Sequence, residues 1–179
     1  MILDAPRDVT ELFRSAMNSP LVPAARRRTG DPVDARGVEA LLPHRGSFRL
    51  IDRITHVDRN AATIACAYDL ERAAVFVEGH FPGRPVLPGV LQVEAVGQAG
   101  LCLVRLLEDA GAVLAAGDFT LTHILGARFV RPVTPTGELE IVARIVPDGL
   151  FHTVIGQCLQ HGAICSLAAV RGIHRENEI

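Results

Sequence analysis

Between Val86 and Val104 the chain carries a single charge, Glu94, in an otherwise uncharged and mostly apolar run. Pro88-Gly89 near its head suits the first turn of a helix, because proline has no N–H to lose there and its φ is already helical. Asp109-Ala110-Gly111 suits the end. The segment therefore predicts a helix over about 88–109, on the order of 33 Å long. A helix with one apolar stripe can lie on a surface, but one that is apolar on nearly every face must be surrounded. Two glutamines, three glycines and the position of this segment among strand-like runs favour a protein wrapper over a bilayer.

Strand-like runs supply the wrapper. Residues 48–57 and 61–70 precede the helix, with Asp58-Arg59-Asn60 as their turn. Residues 113–125, 127–133 with 138–146, 150–160 and 163–173 follow it, and Asp148-Gly149 and His161-Gly162 have hairpin-turn chemistry. A short helical turn at Val38–Leu42 is stopped by Pro43. This order predicts an α+β domain in which a curved antiparallel sheet of about six strands folds around one long central helix. Residues 1–37 stand apart. Val9, Phe13 and Met17 share a helical face, but Pro20, Pro23 and Arg26-Arg27-Arg28-Thr29-Gly30-Asp31-Pro32 interrupt it. They predict a loosely ordered or docked extension to a domain spanning 38–179, with the arginines available to a phosphate-bearing partner.

Composition narrows the function. A chain of 179 residues that is 49% hydrophobic is one folded domain rather than a disordered segment. A formal net charge of −2 argues against nucleic-acid binding, although all 18 basic residues are arginine. The four cysteines form no CxxC, and neither they nor the histidines show metal-ligand spacing, so no metal is expected. Three of these thiols fall in apolar strand-like runs and read as buried. The start of the chain shows no signal-peptide pattern, which predicts a cytoplasmic setting.

Two side chains carry the chemistry. Glu94 shares its helix with Val90, Leu91, Val93, Val96, Leu101 and Leu103, where an unpaired carboxylate is costly. Burial of that kind can raise a carboxyl pKa by up to about 3–5 units and leave a neutral acid; the alternative is a carboxylate bonded to Gln98 or to an arginine. His80 lies in a loop dense in proline and glycine, and imidazole is the side chain most often used as a general base. Gly89 and Val90 offer first-turn N–H groups, backed by the helix dipole, to a carbonyl oxygen gaining negative charge. The remaining histidines, His44, His56, His123, His152, His161 and His174, fit strands, turns or the tail.

Gly79-His80-Phe81-Pro82-Gly83-x-Pro85-x-x-Pro88-Gly89-Val90-x-x-x-Glu94-Ala95-x-x-Gln98-Ala99 resembles the signature of the β-hydroxyacyl-[acyl-carrier-protein] dehydratases of the FabZ type. Leu42-Pro43-His44-Arg45 with Ile51-Asp52-Arg53, and Ala127-Arg128-Phe129-x-Arg131-Pro132-Val133-x-Pro135, are similar to two further segments of that family. The likeness covers about residues 41–173. It implies the hot-dog fold, a homodimer or trimer of dimers, and two equivalent sites in which His80 of one subunit faces Glu94 of the other. It implies no cofactor, the substrate being a thioester on the phosphopantetheine of an acyl carrier protein. Ala73-Ala74-Val75-Phe76-Val77 departs from the family, in which this segment gates the acyl tunnel.

The expected reaction is dehydration of the β-hydroxyacyl thioester to a trans-2-enoyl thioester, in fatty acid or polyketide and polyene biosynthesis. His80 takes the α-proton, Gly89 and Val90 hold the thioester oxygen, and Glu94 helps the β-hydroxyl leave. Arg84, Arg128 and Arg131 are candidates for contact with the acidic carrier. The alternatives are a hot-dog acyl thioesterase and a supporting subunit that forms a heterodimer with a catalytic hot-dog paralogue. No nucleic acid and no membrane span are expected.

Overall fold

The computed structural model describes residues 7–30, 32–107, 119–148 and 151–174. In chain order they form α1 (Arg7–Ala16), α2 (Ala35–Leu41), β1 (Arg53–Asp58), β2 (Thr63–Asp69), α3 (Ala74–Val77), α4 (Gly89–Leu107), β3 (Phe119–Phe129), β4 (Glu138–Asp148), β5 (Phe151–Gln160) and β6 (Ala163–His174). The six strands make one antiparallel sheet in the order β1-β2-β4-β5-β6-β3. α4 is long and apolar enough to cross a bilayer, but most of it is buried inside this sheet. The expected helix end at Asp109-Ala110-Gly111, the start of the 113–125 run and Gly149 lie outside the described residues.

Period-two alternation gives the sheet two apolar faces. Ile64, Cys66, Tyr68, Val154, Cys158, Ala168 and Val170 pack with α4. Ala65, Ile155, Leu159, Leu167 and Ala169 point the other way. Helix and sheet approach closely where side chains are missing. A Cβ on Gly100 would lie 2.4 Å from a Val154 methyl, and one on Gly156 would lie 2.6 Å from a Val96 methyl.

The outer face is covered by the start of the chain. Val9, Phe13 and Ala16 of α1 pack on Leu125, Ile155, Leu167 and Ala169, and Val22 packs on Ala65, Val142 and Leu159. Each large side chain so withdrawn from water contributes about 1.5–3 kcal/mol before ordering costs. Buried Gln157 fixes the chain beyond α1. Its Oε1 accepts the Leu21 N–H at 2.8 Å, and its Nε2 donates to the carbonyls of Ala16 and Ser19 at 2.5 and 3.0 Å. The arginines expected to be available to a phosphate are engaged within the fold instead. Arg27 donates to the Val22 carbonyl at 2.9 Å and to Glu140 at 2.5 Å, and Arg28 reaches Glu138 at 2.5 Å. Arg26 lies 3.9 Å from Asp58.

Two strand boundaries differ from expectation for identifiable reasons. Residues 48–50 do not join the first strand, because Gln98 on α4 engages their backbone: its amide takes the Leu50 N–H and donates to the Phe48 carbonyl, both at 2.8 Å, and pairing toward β2 begins only with the Asp52 N–H on the Ala67 carbonyl. The 127–133 run ends as strand at Phe129. The N–H groups of Val130 and Arg131 both reach the Cys165 carbonyl, at 2.8 and 3.1 Å, and Pro132 has no N–H to continue the ladder. His161-Gly162 turns with φ of +52° and +77°, as a two-residue hairpin between right-twisted strands requires.

Candidate active site

His80 follows α3 in a loop tied by its own backbone. Its N–H donates to the Val77 carbonyl at 3.0 Å, and its carbonyl accepts the Val86 N–H at 2.9 Å. Phe81 and Arg84 exchange backbone hydrogen bonds around Pro82-Gly83, and Gly83 supplies the positive φ of +78°. The imidazole is oriented as well as placed. Nδ1 lies 3.0 Å from the Val86 carbonyl, which can only accept, so in the neutral ring the proton sits on Nδ1. The Nε2 lone pair is then free to take a proton from something else.

Glu94 lies on the second turn of α4. Its side chain is 26% exposed and is met by polar partners rather than a wholly apolar wall. The Gln98 amide donates to Oε1 at 2.8 Å, the contact that the four-residue spacing allows, and His44 Nε2 stands 3.4 Å from the same oxygen. A cavity of about 160 Å³ opens beside the carboxyl, lined also by His44, Gly97, Gln98 and Leu101 of the helical side and by Leu121, Val154 and Val170 of the sheet.

His44 was assigned no chemistry from sequence, and the structure places it at the site. Arg45 anchors its loop through the carbonyls of Glu39, Leu42 and His44, at 2.9, 2.5 and 2.9 Å. The ring stacks on Phe48 at 6.1 Å. Nδ1 is buried with no hydrogen-bond partner among the described residues. Burial pushes the His44 pKa below its ordinary value; Glu94 opposes that shift, and Arg45 and Arg105 add to it. The signal that could have found it was already quoted: His44 stands in the Leu42-Pro43-His44-Arg45 likeness.

Gly89 and Val90 are the first helical residues of α4, so their N–H groups have no intrahelical acceptor. The Phe129 ring lies over this helix start. A Cβ on Gly89 would come within 2.7 Å of it, so glycine is required for the ring to sit there. Arg84 and Arg128 are exposed. Arg131 is exposed too, with one guanidinium nitrogen donating to the Ile164 carbonyl at 2.8 Å.

Within one chain, His80 and Glu94 are not brought together. The cavity beside Glu94 includes no residue of the His80 loop. Phe81, Gly83 and Pro85 of that loop line a separate hollow of about 580 Å³ with Val75 and Val77. β3, one of the two edge strands, pairs on one side only and leaves Ile124 60% exposed, and Val130, just beyond the strand, is 61% exposed.

Comparison with known proteins places this geometry. Residues 42–149 match the FabA-like domain, and the chain belongs to that family. It is 38% identical over 111 residues to the 3-hydroxyacyl-[acyl-carrier-protein] dehydratase FabZ of Xanthomonas oryzae pv. oryzae, covering 62% of this chain and 71% of that protein. It is 35% identical over 126 residues to FabZ of an Anaeromyxobacter species, covering 69% and 77%. Among solved structures it resembles the dehydratase heterocomplex ApeI:P of Xenorhabdus doucetiae, with a TM-score of 0.60 at 21% identity over 78% of this chain and 91% of that one. A thioesterase of Pseudomonas aeruginosa gives 0.56 at 17% identity, over 83% and 96%. At such identities the structural likeness establishes the hot-dog fold and leaves the chemistry to the site.

Proposed function

We propose that this protein removes water from 3-hydroxyacyl thioesters carried on acyl carrier protein, the dehydration named for its FabZ relatives, and that the product is the trans-2-enoyl thioester. The observation that carries the reading is the oriented His80 ring, with Nε2 left as the basic nitrogen, in a chain where the one acid of α4, Glu94, borders a cavity. His80 takes the α-proton while the thioester oxygen, lying at the N–H groups of Gly89 and Val90, gains charge. Glu94, carrying a proton at that step, gives it to the departing β-hydroxyl. The C–O bond breaks, the α,β double bond forms, and water leaves. The proton gained by His80 then returns to Glu94 through solvent.

The two groups meet across a dimer. β3 offers the surface: a strand edge with exposed Leu121 and Ile124, and exposed Val130 just beyond it, suits pairing with a second copy. Arg84 and Arg128, exposed on the loop and on this strand, steer the acidic carrier and its phosphate, with Arg131 beside them in sequence.

His80→Ala and Glu94→Gln should each remain folded and lose about 10²–10⁴-fold in dehydration, followed by mass spectrometry of carrier-bound products. Mixing the two inactive variants after subunit exchange should restore about a quarter of wild-type activity, because half the dimers then hold one intact site. No recovery would place both groups in one subunit. Release of free thiol in place of enoyl product would make the enzyme a thioesterase.

A further inference from the structure

A glycine inside a helix is about 1 kcal/mol less favourable than alanine, so an interior glycine calls for a structural reason. At Gly100 the reason is contact, since Val154 leaves no room for a Cβ. At Gly97 it is not: no atom lies within 4 Å of the position a Cβ would take. No turn requires it either, for Gly97 sits in the interior of α4.

What borders Gly97 is the cavity of about 160 Å³. Glu94 lies one turn before it and Leu101 one turn after, so the three share a face of the helix. The cavity is polar at the Glu94 end, with His44 and Gln98, and apolar at the Leu101 end, with Val154 and Val170. With the β-hydroxyl at Glu94, the rest of the acyl group continues away from the thioester toward the apolar end. The way there passes Gly97.

We propose that Gly97 determines acyl specificity: its missing side chain keeps open the passage beside Glu94 along which the tail runs toward Leu101. The inference rests on the dehydratase reading. One subunit contributes only about 160 Å³ here, against the roughly 300–1,000 Å³ of typical ligand pockets, so a side chain added at Gly97 takes up a large share of the space that it borders.

Gly97→Ala and Gly97→Val, made in the full chain, test this against a length series of β-hydroxyacyl carrier thioesters. In Gly97→Val, the loss in kcat/KM should be about tenfold or more greater for the longest substrate that wild type accepts than for the shortest, with Gly97→Ala between Gly97→Val and wild type. Gly97→Ala should melt no lower than wild type, since the helix gains propensity where nothing is crowded. Thermal shifts with β-hydroxyacyl-pantetheine amides of the same lengths read the passage without turnover and should show the same length-selective loss. An unchanged length profile, or a loss equal at all lengths, overturns the role of Gly97. Loss of the dimer in Gly97→Ala overturns it too, because protein rather than substrate would then fill the space. Length-selective binding with no water loss from any substrate would instead refute the dehydratase reading and leave the passage standing.

Discussion

His44 stands where burial and charge oppose each other. Its pKa is held below the ordinary 6.5 chiefly by burial, with Glu94 pulling up and Arg45 and Arg105 pushing down. The unfolded chain therefore takes up this proton first as pH falls, so the stability present above about pH 6.5 is lost as pH drops through that value toward the folded one. Melting temperature measured across mildly acidic buffers should decline more steeply in wild type than in His44→Gln. Parallel curves would mean that the histidine has no share in the acid sensitivity. At the active site the same ring sits 3.4 Å from Glu94, so His44→Gln should also shift the pH profile of kcat, whereas a residue that only fills space would lower the rate at every pH alike.

At the scale of the element, α4 was legible because its apolar residues leave no polar face, and its head because Pro88-Gly89 can begin a helix. The contact that makes Gly89 obligatory was not legible: the Phe129 ring comes from the end of β3 and meets the helix only in the fold. Gly89→Ala should push that ring aside, disturb the first-turn N–H groups and lower kcat by about tenfold or more. Gly89→Ala/Phe129→Ala should regain part of the rate, and a double variant no better than the single would put the fault in the backbone. Residues 48–50 depart from the strand expected of them for a related reason. Strand propensity is local, but their hydrogen bonds go to the side chain of Gln98, far along the chain. The role of His44 is tertiary in the same way: the Leu42-Pro43-His44-Arg45 likeness marks its segment, but nothing near it in sequence indicates Glu94.

For the whole molecule, the six-strand sheet around one helix followed from alternation and turn chemistry, while the place of residues 7–30 did not. Their apolar periodicity is short and broken by prolines, and what holds them is tertiary: Gln157 on the sheet, and Glu138 and Glu140 on β4. Arg27 is the test of that attachment, its side chain only 6% exposed against Glu140. Arg27→Ala leaves Glu140 short of its main partner and should reduce unfolding free energy by about 2–4 kcal/mol in urea titration. A change under about 0.5 kcal/mol would show that the extension adds no stability. The sheet order also dictates how this chain can be built. β3 leaves the ribosome before β4 and β5, yet its one neighbour in the sheet is β6, the last strand synthesised. Until that final segment emerges, residues 119–129 have no seat, and a premature stop between Gln160 and Ala163 removes two strands from the sheet rather than one.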